Sequence, residues 1–190
     1  MAPNQTLLRR ADMNKASTMN RITTIAGTVL MAGALISALP GCEEPYASTE
    51  RTTRANIGGK VFTLEIVADQ DSRVKGLSGR TVIADDGGML FVFPDSQVGN
   101  HEFIMRDCTI PIDIIFLDRS RRVTATHAMK VEEGKREGEN AMTYENRLKR
   151  YSSRFDSQYA IELQGGMLEK LSVKPGELIN IDPNLAAKAK

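Results

Sequence analysis

The sequence predicts a single, mainly β domain of the sandwich or barrel type, carrying two short helices. The first observation is size, because 190 residues with 41% hydrophobic and 26% charged side chains suffice for one domain with a buried core. The second is about seven short runs rich in β-branched and aromatic residues, separated by turn-forming residues. The third is that the helical patterns are few and short, which favours a sandwich or barrel.

The N-terminal part of the chain is predicted to be an export signal rather than part of the fold. Residues 22–41 contain no charge and follow the basic residues Arg9, Arg10, Lys15 and Arg21. A basic flank, an apolar run and small residues at its end are typical of such signals. The run closes as Leu39-Pro40-Gly41-Cys42, which resembles the lipobox of bacterial lipoproteins, where the cysteine is lipidated. An uncleaved membrane anchor and a buried core helix remain alternatives.

We therefore expect residues 1–41 to be a signal peptide and Cys42 to be the lipidated first residue of the mature protein. Residues 42–56 are polar and without apolar periodicity, which indicates a tether, with a surface strand or loop as the alternative. The predicted location is exported and membrane-anchored in the cell envelope, on its periplasmic or extracellular face. At the other end, residues 183–190 are predicted to be a flexible tail.

The first half of the predicted domain, which spans residues 57–182, alternates strands with turns. Residues 61–67 are predicted to form a strand. Asp69 or Asp71 is expected to cap a short helix through Leu77, with Gly76 and Gly79 ending it. Further strands are predicted at residues 89–93, 102–106, 112–117 and 123–127. The last two are joined by a hairpin turn at residues 118–121.

The second half begins with residues 130–157, which are strongly polar and are predicted to form one long excursion. Residues 159–163 resume as a strand, and Gly165-Gly166 opens a short helix over residues 167–171. Pro175-Gly176 makes a turn into the closing strand, residues 177–181.

Several of these segments carry motifs in a fixed order. They are Gly76-Leu77-Ser78-Gly79-Arg80, Gly88-Met89-Leu90-Phe91-Val92-Phe93, Phe103-Ile104-Met105-Arg106, the run Ile110 to Asp118, Tyr151-Ser152-Ser153, Tyr159 to Leu163 and Gly165 to Gly176. Together they resemble the uncharacterised family called domain of unknown function 192, over residues 60–182. The resemblance implies a jelly-roll-like β fold and no established activity. The chain departs from that pattern at Ile104 (usually Trp), Ser78 (usually Met) and Asp107-Cys108 (usually Asn-Thr).

Asp113 is the most informative polar residue in the sequence. It lies in a predicted strand whose two faces are both apolar, and it shares one of these faces with Ile115 and Leu117. Its carboxyl is therefore expected to be buried. A buried carboxylate needs a partner, and Arg80 and Arg106 are the expected ones, with Arg73 next. Arg73, Arg80, Met105, Arg106 and Asp113 therefore form the candidate cluster. The cluster either fixes the fold or lines a pocket that binds a polar or anionic ligand.

Charge and the small numbers of cysteine and histidine limit the function. The formal net charge of +1 gives no basis for binding nucleic acid. Two histidines and two cysteines are too few for most zinc sites, so no metal or other cofactor is predicted. Cys108 is the only thiol left if Cys42 is acylated, and it is interpreted as a half-buried small residue rather than a nucleophile.

Three hypotheses of function follow. The first is a lipid-anchored, monomeric domain that binds a small polar ligand or a partner without catalysis. The second is a structural envelope protein whose Arg–Asp pair serves only the fold. The third is a hydrolase or transferase that uses Asp113 with Arg80 or Arg106.

Overall fold

The computed structural model describes residues 52–189, so the predicted signal and Cys42 lie outside the described residues. The strands are β1 Thr52–Ile57, β2 Lys60–Val67, β3 Gly87–Val92, β4 Glu102–Phe103, β5 Ile112–Leu117, β6 Val123–Met129, β7 Tyr151–Ser152 and β8 Tyr159–Gln164. The helices are α1 Gln70–Lys75, α2 Ala141–Arg147 and α3 Met167–Leu171. Among these helices none is long and apolar enough to cross a membrane.

Six strands form one sheet in the order β1-β2-β3-β8-β5-β6, and β4 pairs with β7 in a second, two-stranded sheet. Only the β2–β3 pair of the large sheet is parallel, and its other pairs are antiparallel. The mainly β class is confirmed, and the large sheet does not close into a barrel, which leaves a sandwich-like arrangement. Strand β8 lies between β3 and β5, so its side chains stand at the middle of the sheet.

Strand β1 occupies part of the segment that was predicted to be a tether. It pairs with β2 from Thr52 to Ile57 and buries Ala55 and Ile57, so the surface-strand alternative holds for residues 52–56. The two strands are joined through Gly58 and Gly59, both with positive φ (55° and 82°). Glycine is favoured there because a two-residue hairpin loop of this kind needs left-handed backbone.

The large sheet is buried on both faces by two apolar clusters. One face carries Leu64, Leu90, Ile115 and Ile161, and it is covered by α3 and by the C-terminal segment that contains Ile179 and Ile181. The other face carries Met89, Phe91, Ile114, Phe116 and Ala160, and it is covered by Leu77, Ile83, Met105 and Tyr151. Both faces of β8 are therefore inside the protein.

Three other predicted elements differ from the structure. The excursion of residues 130–157 contains α2 and β7, because Tyr144, Leu148 and Tyr151 are apolar anchors that its polar sequence conceals. The predicted closing strand at 177–181 makes only two isolated bridges, Leu178 to Arg122 and Asn180 to Asn56, since it passes from one edge of the sheet to the other. The predicted tail includes a buried Leu185 and a short 3-10 turn at Ala186–Lys188.

Candidate functional site

A cavity of about 530 Å³ lies between the second face of the large sheet and the segments that cover it. Helix α1 and the turn after it form one wall, and residues 101–108 form the wall opposite. The floor comes from β3 and β8. Its lining is Gln70, Arg73, Val74, Lys75, Gly76, Leu77, Ser78, Phe91, Phe93, Gln97, His101, Glu102, Phe103, Ile104, Arg106, Cys108 and Glu162.

Glu162 is the buried carboxyl on the floor of this cavity. It lies on β8 between Met89 of β3 and Ile114 of β5, and it is only 6% exposed. Its Oε2 atom has no hydrogen-bond partner in the described part of the chain. Burial raises the pKa of this carboxyl to about 8, so it is mostly protonated at neutral pH. A buried polar atom without a partner is rare and calls for an explanation.

Gly88 allows β3 to approach the strand that carries Glu162. A Cβ atom on Gly88 would lie 2.5 Å from the carbonyl oxygen of Glu162 and 2.8 Å from a methyl group of Leu163. No side chain fits at that distance, so the glycine keeps the two strands in contact. The position of the carboxyl on the cavity floor therefore depends on a residue in the Gly88–Phe93 motif.

Aromatic rings form much of the cavity wall. Phe91 and Phe103 meet edge to face with centroids 5.0 Å apart, and Phe93 stacks on His101 at 3.7 Å. The guanidinium of Arg73 lies 5.6 Å from the centre of the Phe93 ring. Burial lowers the pKa of His101, while the carbonyl of Ser157, 3.1 Å from its Nε2, opposes that shift. The wall thus combines the rings of phenylalanines with the imidazole of His101, whose neutral form is favoured by burial.

The two arginines of the cavity are held by internal partners. Arg73 Nη1 donates to the carbonyl oxygens of Ala68 and Val92, at 2.8 Å and 3.1 Å. Arg106 pairs with Glu145 at 2.7 Å and donates from its other terminal nitrogen to the carbonyl of Val74 at 2.8 Å. Arg73 thereby ties α1 to β3, and Arg106 ties α1 to the wall opposite, so both side chains stabilise the cavity walls.

Of the candidate cluster, the structure places Arg73 and Arg106 at the cavity and the other members elsewhere. Met105 is a buried core residue beside it, and Arg80 forms an ion pair with Glu65. Asp113 is 1% exposed, as expected, but it faces the opposite side of the sheet. The cluster is therefore divided between the two faces of the sheet.

Asp113 differs from prediction in its partner. Its Oδ2 accepts a hydrogen bond from the backbone N–H of Leu168 at 2.7 Å, in place of an arginine. The carboxylate thereby caps α3, whose N-cap residue Gly166 has no side chain to do so. Burial raises the pKa of Asp113, and the N–H groups of Leu168, Gly166 and Met167 oppose that rise.

Cys108 is half-buried, in agreement with its interpretation as a small packing residue. Burial, with the nearby Glu162 adding to it, raises the pKa of the thiol to about 11. A thiol in that state is a poor nucleophile at neutral pH. Within residues 52–189, no group of three or more histidine, cysteine or acidic side chains is arranged to hold a metal ion.

Glu162 is the residue that the sequence analysis missed, although a signal was present. Three positions where the chain departs from the pattern of the family it resembles, Ser78, Ile104 and Cys108, all line this cavity. Isoleucine and serine in place of tryptophan and methionine leave more space than the usual pattern would.

Comparisons with known proteins agree with this fold. A structure from Novosphingobium aromaticivorans DSM 12444, of unknown function, is 26% identical, with a TM-score of 0.57, and the match covers 76% of this chain and 94% of that one. A second, from Sinorhizobium meliloti 1021 and named as a candidate transcription regulator, is 23% identical with the same TM-score. That match covers 70% of this chain and 96% of the other. No curated protein matches.

The family comparison covers most of the described residues. The model of the DUF192 family, described as "Uncharacterized ACR, COG1430", matches residues 52–181. That range runs from the first residue of β1 to Ile181 in the C-terminal segment, and so includes both sheets and all the cavity residues. The chain therefore belongs to the DUF192 family.

Proposed function

We propose that this domain is a non-catalytic binding module for a small molecule, and that the cavity over β3 and β8 is its binding site. The observation that carries the proposal is the unpartnered Oε2 of Glu162 on the cavity floor. Ligand sites typically enclose about 300–1,000 Å³ and combine apolar walls with a few polar groups. A cavity of about 530 Å³ with phenylalanine walls and one buried carboxyl fits that description.

The distribution of charge favours a ligand other than the anion expected from the sequence. Arg106 and Arg73 line the cavity, but their guanidinium groups already have Glu145 and backbone carbonyls as partners. An anion would have to compete with those contacts while lying near the carboxyl of Glu162. A molecule with an apolar body and a polar group that can meet a carboxyl suits the cavity better.

The two alternative hypotheses have less support. A hydrolase built on Asp113 would need that carboxylate to face a cavity, whereas it caps α3 on the other face of the sheet. A purely structural domain would gain nothing from an unpartnered carboxyl, because such a group costs stability. The raised pKa of the Cys108 thiol also supports binding without catalysis.

Filling the cavity should abolish ligand binding. We expect Ile104→Trp to place an indole in the cavity and to remove the thermal shift that aromatic amines, amides or acids give the full wild-type chain. A ligand at about 100 times its Kd adds about 2.7 kcal/mol of stability, which raises Tm by several degrees. The measurement is thermal unfolding against a library that contains all three charge classes.

The matched control is Val82→Trp, which adds the same ring at a side chain that is 73% exposed and outside the cavity lining. It should keep the shifts seen with the wild-type protein. A library without a single hit, or hits that persist in Ile104→Trp, would show that the cavity is not a binding site.

We also propose that lipidation of Cys42 holds this module at the surface of an envelope membrane. The support is the lipobox-like Leu39-Pro40-Gly41-Cys42 after an uncharged run of residues 22–41. Because β1 begins at Thr52, residues 42–51 separate the anchor from the sheet. Ten residues reach at most about 35 Å, which is enough to lift the domain off the lipid headgroups.

Removing the anchor site should change where the protein is found. In a bacterial host, Cys42→Ser is expected to move the protein from the membrane fraction to the soluble fraction or to leave an uncleaved precursor, because no acyl chain can be attached. Fractionation followed by mass measurement checks this. Cys108→Ser, which changes the other cysteine of the chain, should remain processed and membrane-bound. A processed, membrane-bound Cys42→Ser protein would rule out lipidation at this residue.

A further inference from the structure

We propose that the ligand of the cavity is an organic cation, an apolar or aromatic body that carries an amine, amidine or guanidine group, and that Glu162 binds the charged group. This inference rests on the proposed function and names the ligand class for the same site. It depends on three features of the cavity, namely its floor, the partners of its arginines and its aromatic walls.

The floor presents a buried carboxyl that faces the cavity. Glu162 stands at the middle of a six-stranded sheet, with neighbouring strands on both sides and the cavity above it. Its Oε2 accepts no hydrogen bond from residues 52–189. Burying an ionised carboxylate is costly unless a cation or several donors compensate it. The protonated carboxyl avoids this cost, and the cavity is the route by which a cation could reach Glu162 and favour its ionised form.

The protein does not supply the cation itself from the groups around the floor. Arg106 is engaged by Glu145, and Arg73 by the carbonyls of Ala68 and Val92. Lys75, the third cation of the lining, is exposed and makes no hydrogen bond to Glu162 Oε2. Burial alone raises the pKa of Glu162, and no charged side chain of residues 52–189 opposes that rise. A positively charged group on the ligand would supply this compensation and would favour the ionised form of the carboxyl.

The aromatic walls suit the same class of ligand. Phe91 and Phe103 line the cavity, and a cation within about 6 Å of a ring centre is attracted to the ring face. Phe93 lines it too, but His101 and Arg73 already contact that ring. The protein already uses this interaction, since the Arg73 guanidinium lies 5.6 Å from the centre of Phe93. An aromatic or aliphatic body on the ligand would pack against the remaining ring surface.

Three probes of nearly identical shape separate charge from packing. Benzamidine is a cation, benzamide is neutral and benzoate is an anion, and all three carry the same ring. We expect the full chain to bind benzamidine with a Kd about tenfold or more below those of benzamide and benzoate. Ligand-observed NMR titration at millimolar concentrations measures all three.

Binding of benzamidine should strengthen as the pH rises, because its amidinium stays charged while Glu162 becomes ionised. With a pKa of about 8 for Glu162, the affinity should increase about tenfold from pH 6 to pH 7 and level off above pH 8. The other titratable or charged groups around the cavity are Arg73, Lys75, His101, Glu102, Arg106 and Cys108. Burial lowers the pKa of His101 and raises that of Cys108, which favours the neutral form of both.

Variants assign the effect to Glu162. Glu162→Gln keeps the shape of the side chain and should lose both the preference for benzamidine and its pH dependence. Glu137→Gln, which changes an exposed carboxylate outside the cavity lining, should keep both. A role of Glu162 in folding alone would change neither the preference for benzamidine nor the pH dependence of its binding.

Two results would overturn the inference. One is that benzamide or benzoate binds as tightly as benzamidine and that Ile104→Trp blocks it, in which case the binding module stands and its ligand is not a cation. The other is that benzamidine does not bind at millimolar concentration. The library test with Ile104→Trp then decides separately whether the cavity binds any molecule.

Discussion

Glu162→Met is expected to stabilise the folded domain by about 3 kcal/mol at pH 7. The pKa of Glu162 is about 8 in the folded protein, against an ordinary value of 4.5 that applies to the unfolded chain. At pH 7 the unfolded chain therefore loses a proton that the folded protein retains. This loss lowers the free energy of the unfolded chain and so reduces the free energy of unfolding. Methionine has a similar length, has no charge to bury and needs no hydrogen-bond donor from the cavity.

The direction of the pH dependence follows from the same shift. Because the pKa of Glu162 is raised in the folded protein, this residue does not reduce the stability of the wild-type protein below pH 4.5. As the pH rises from 4.5 through 8, it reduces the free energy of unfolding progressively. Glu162→Met and Glu162→Gln should both lack this slope, while Gln gains less stability because its amide also lies without partners. Urea unfolding at several pH values between 4.5 and 9 measures the free energy of unfolding for each protein.

Glu102→Met provides the control for this measurement. Glu102 is an exposed carboxylate of the same cavity, so its replacement should leave both the stability and the slope near those of the wild-type protein. Equal slopes for the wild-type protein and Glu162→Met would mean that Glu162 does not titrate near pH 8, and would remove the electrostatic basis for the cavity proposal.

The stability and the binding predictions oppose each other at one residue. The substitution that makes the fold more stable is also the one that should abolish recognition of a cationic ligand. Residues that reduce stability without compensation are commonly those that a functional site needs. A bound cation would offset part of the burial cost, so ligand should stabilise the wild-type protein most strongly at high pH.

The fold could be largely predicted because its strands and caps follow local rules. The run of residues 61–67 is β-branched and apolar, and Asp69 accepts the hydrogen bond from Ser72 N that begins α1. The prediction of a tether up to residue 56 misses β1 because Thr52–Ile57 is mostly polar, with only Ala55 and Ile57 facing the core. An edge strand of this kind is defined by its partner β2 rather than by its own composition.

The site could not be predicted to the same degree, because it depends on what covers the sheet. In β8, Tyr159, Ile161 and Leu163 alternate with Ala160 and Glu162, which is the pattern of a strand with one solvent face. The structure buries that second face under residues far away in sequence, from Leu77 to Tyr151. The sequence does indicate that Asp113 is buried, because both faces of its strand are apolar. Its hydrogen-bond partner, the backbone N–H of Leu168, is a group that composition does not reveal.

Asp113→Ala is expected to destabilise the domain by about 3 kcal/mol, because it removes a charge-assisted hydrogen bond inside the protein. The carboxylate accepts from Leu168 N at 2.7 Å, and alanine would leave the first turn of α3 without its cap. The position is 1% exposed, so water cannot replace the lost acceptor. Urea unfolding of the variant beside the wild-type protein measures the loss.

Two further variants separate the effect of losing the helix cap from the effect of burying the carboxylate. Asp69→Ala removes the exposed cap of α1, where water can substitute, so its cost should be only about 1 kcal/mol. Asp113→Asn keeps an acceptor oxygen and removes a charge whose burial raises the pKa of the carboxyl, so it should cost less than Asp113→Ala. If Asp113→Ala were no more harmful than Asp69→Ala, α3 would not depend on this carboxylate. The strand residue and the helix that it caps would then be independent parts of the fold.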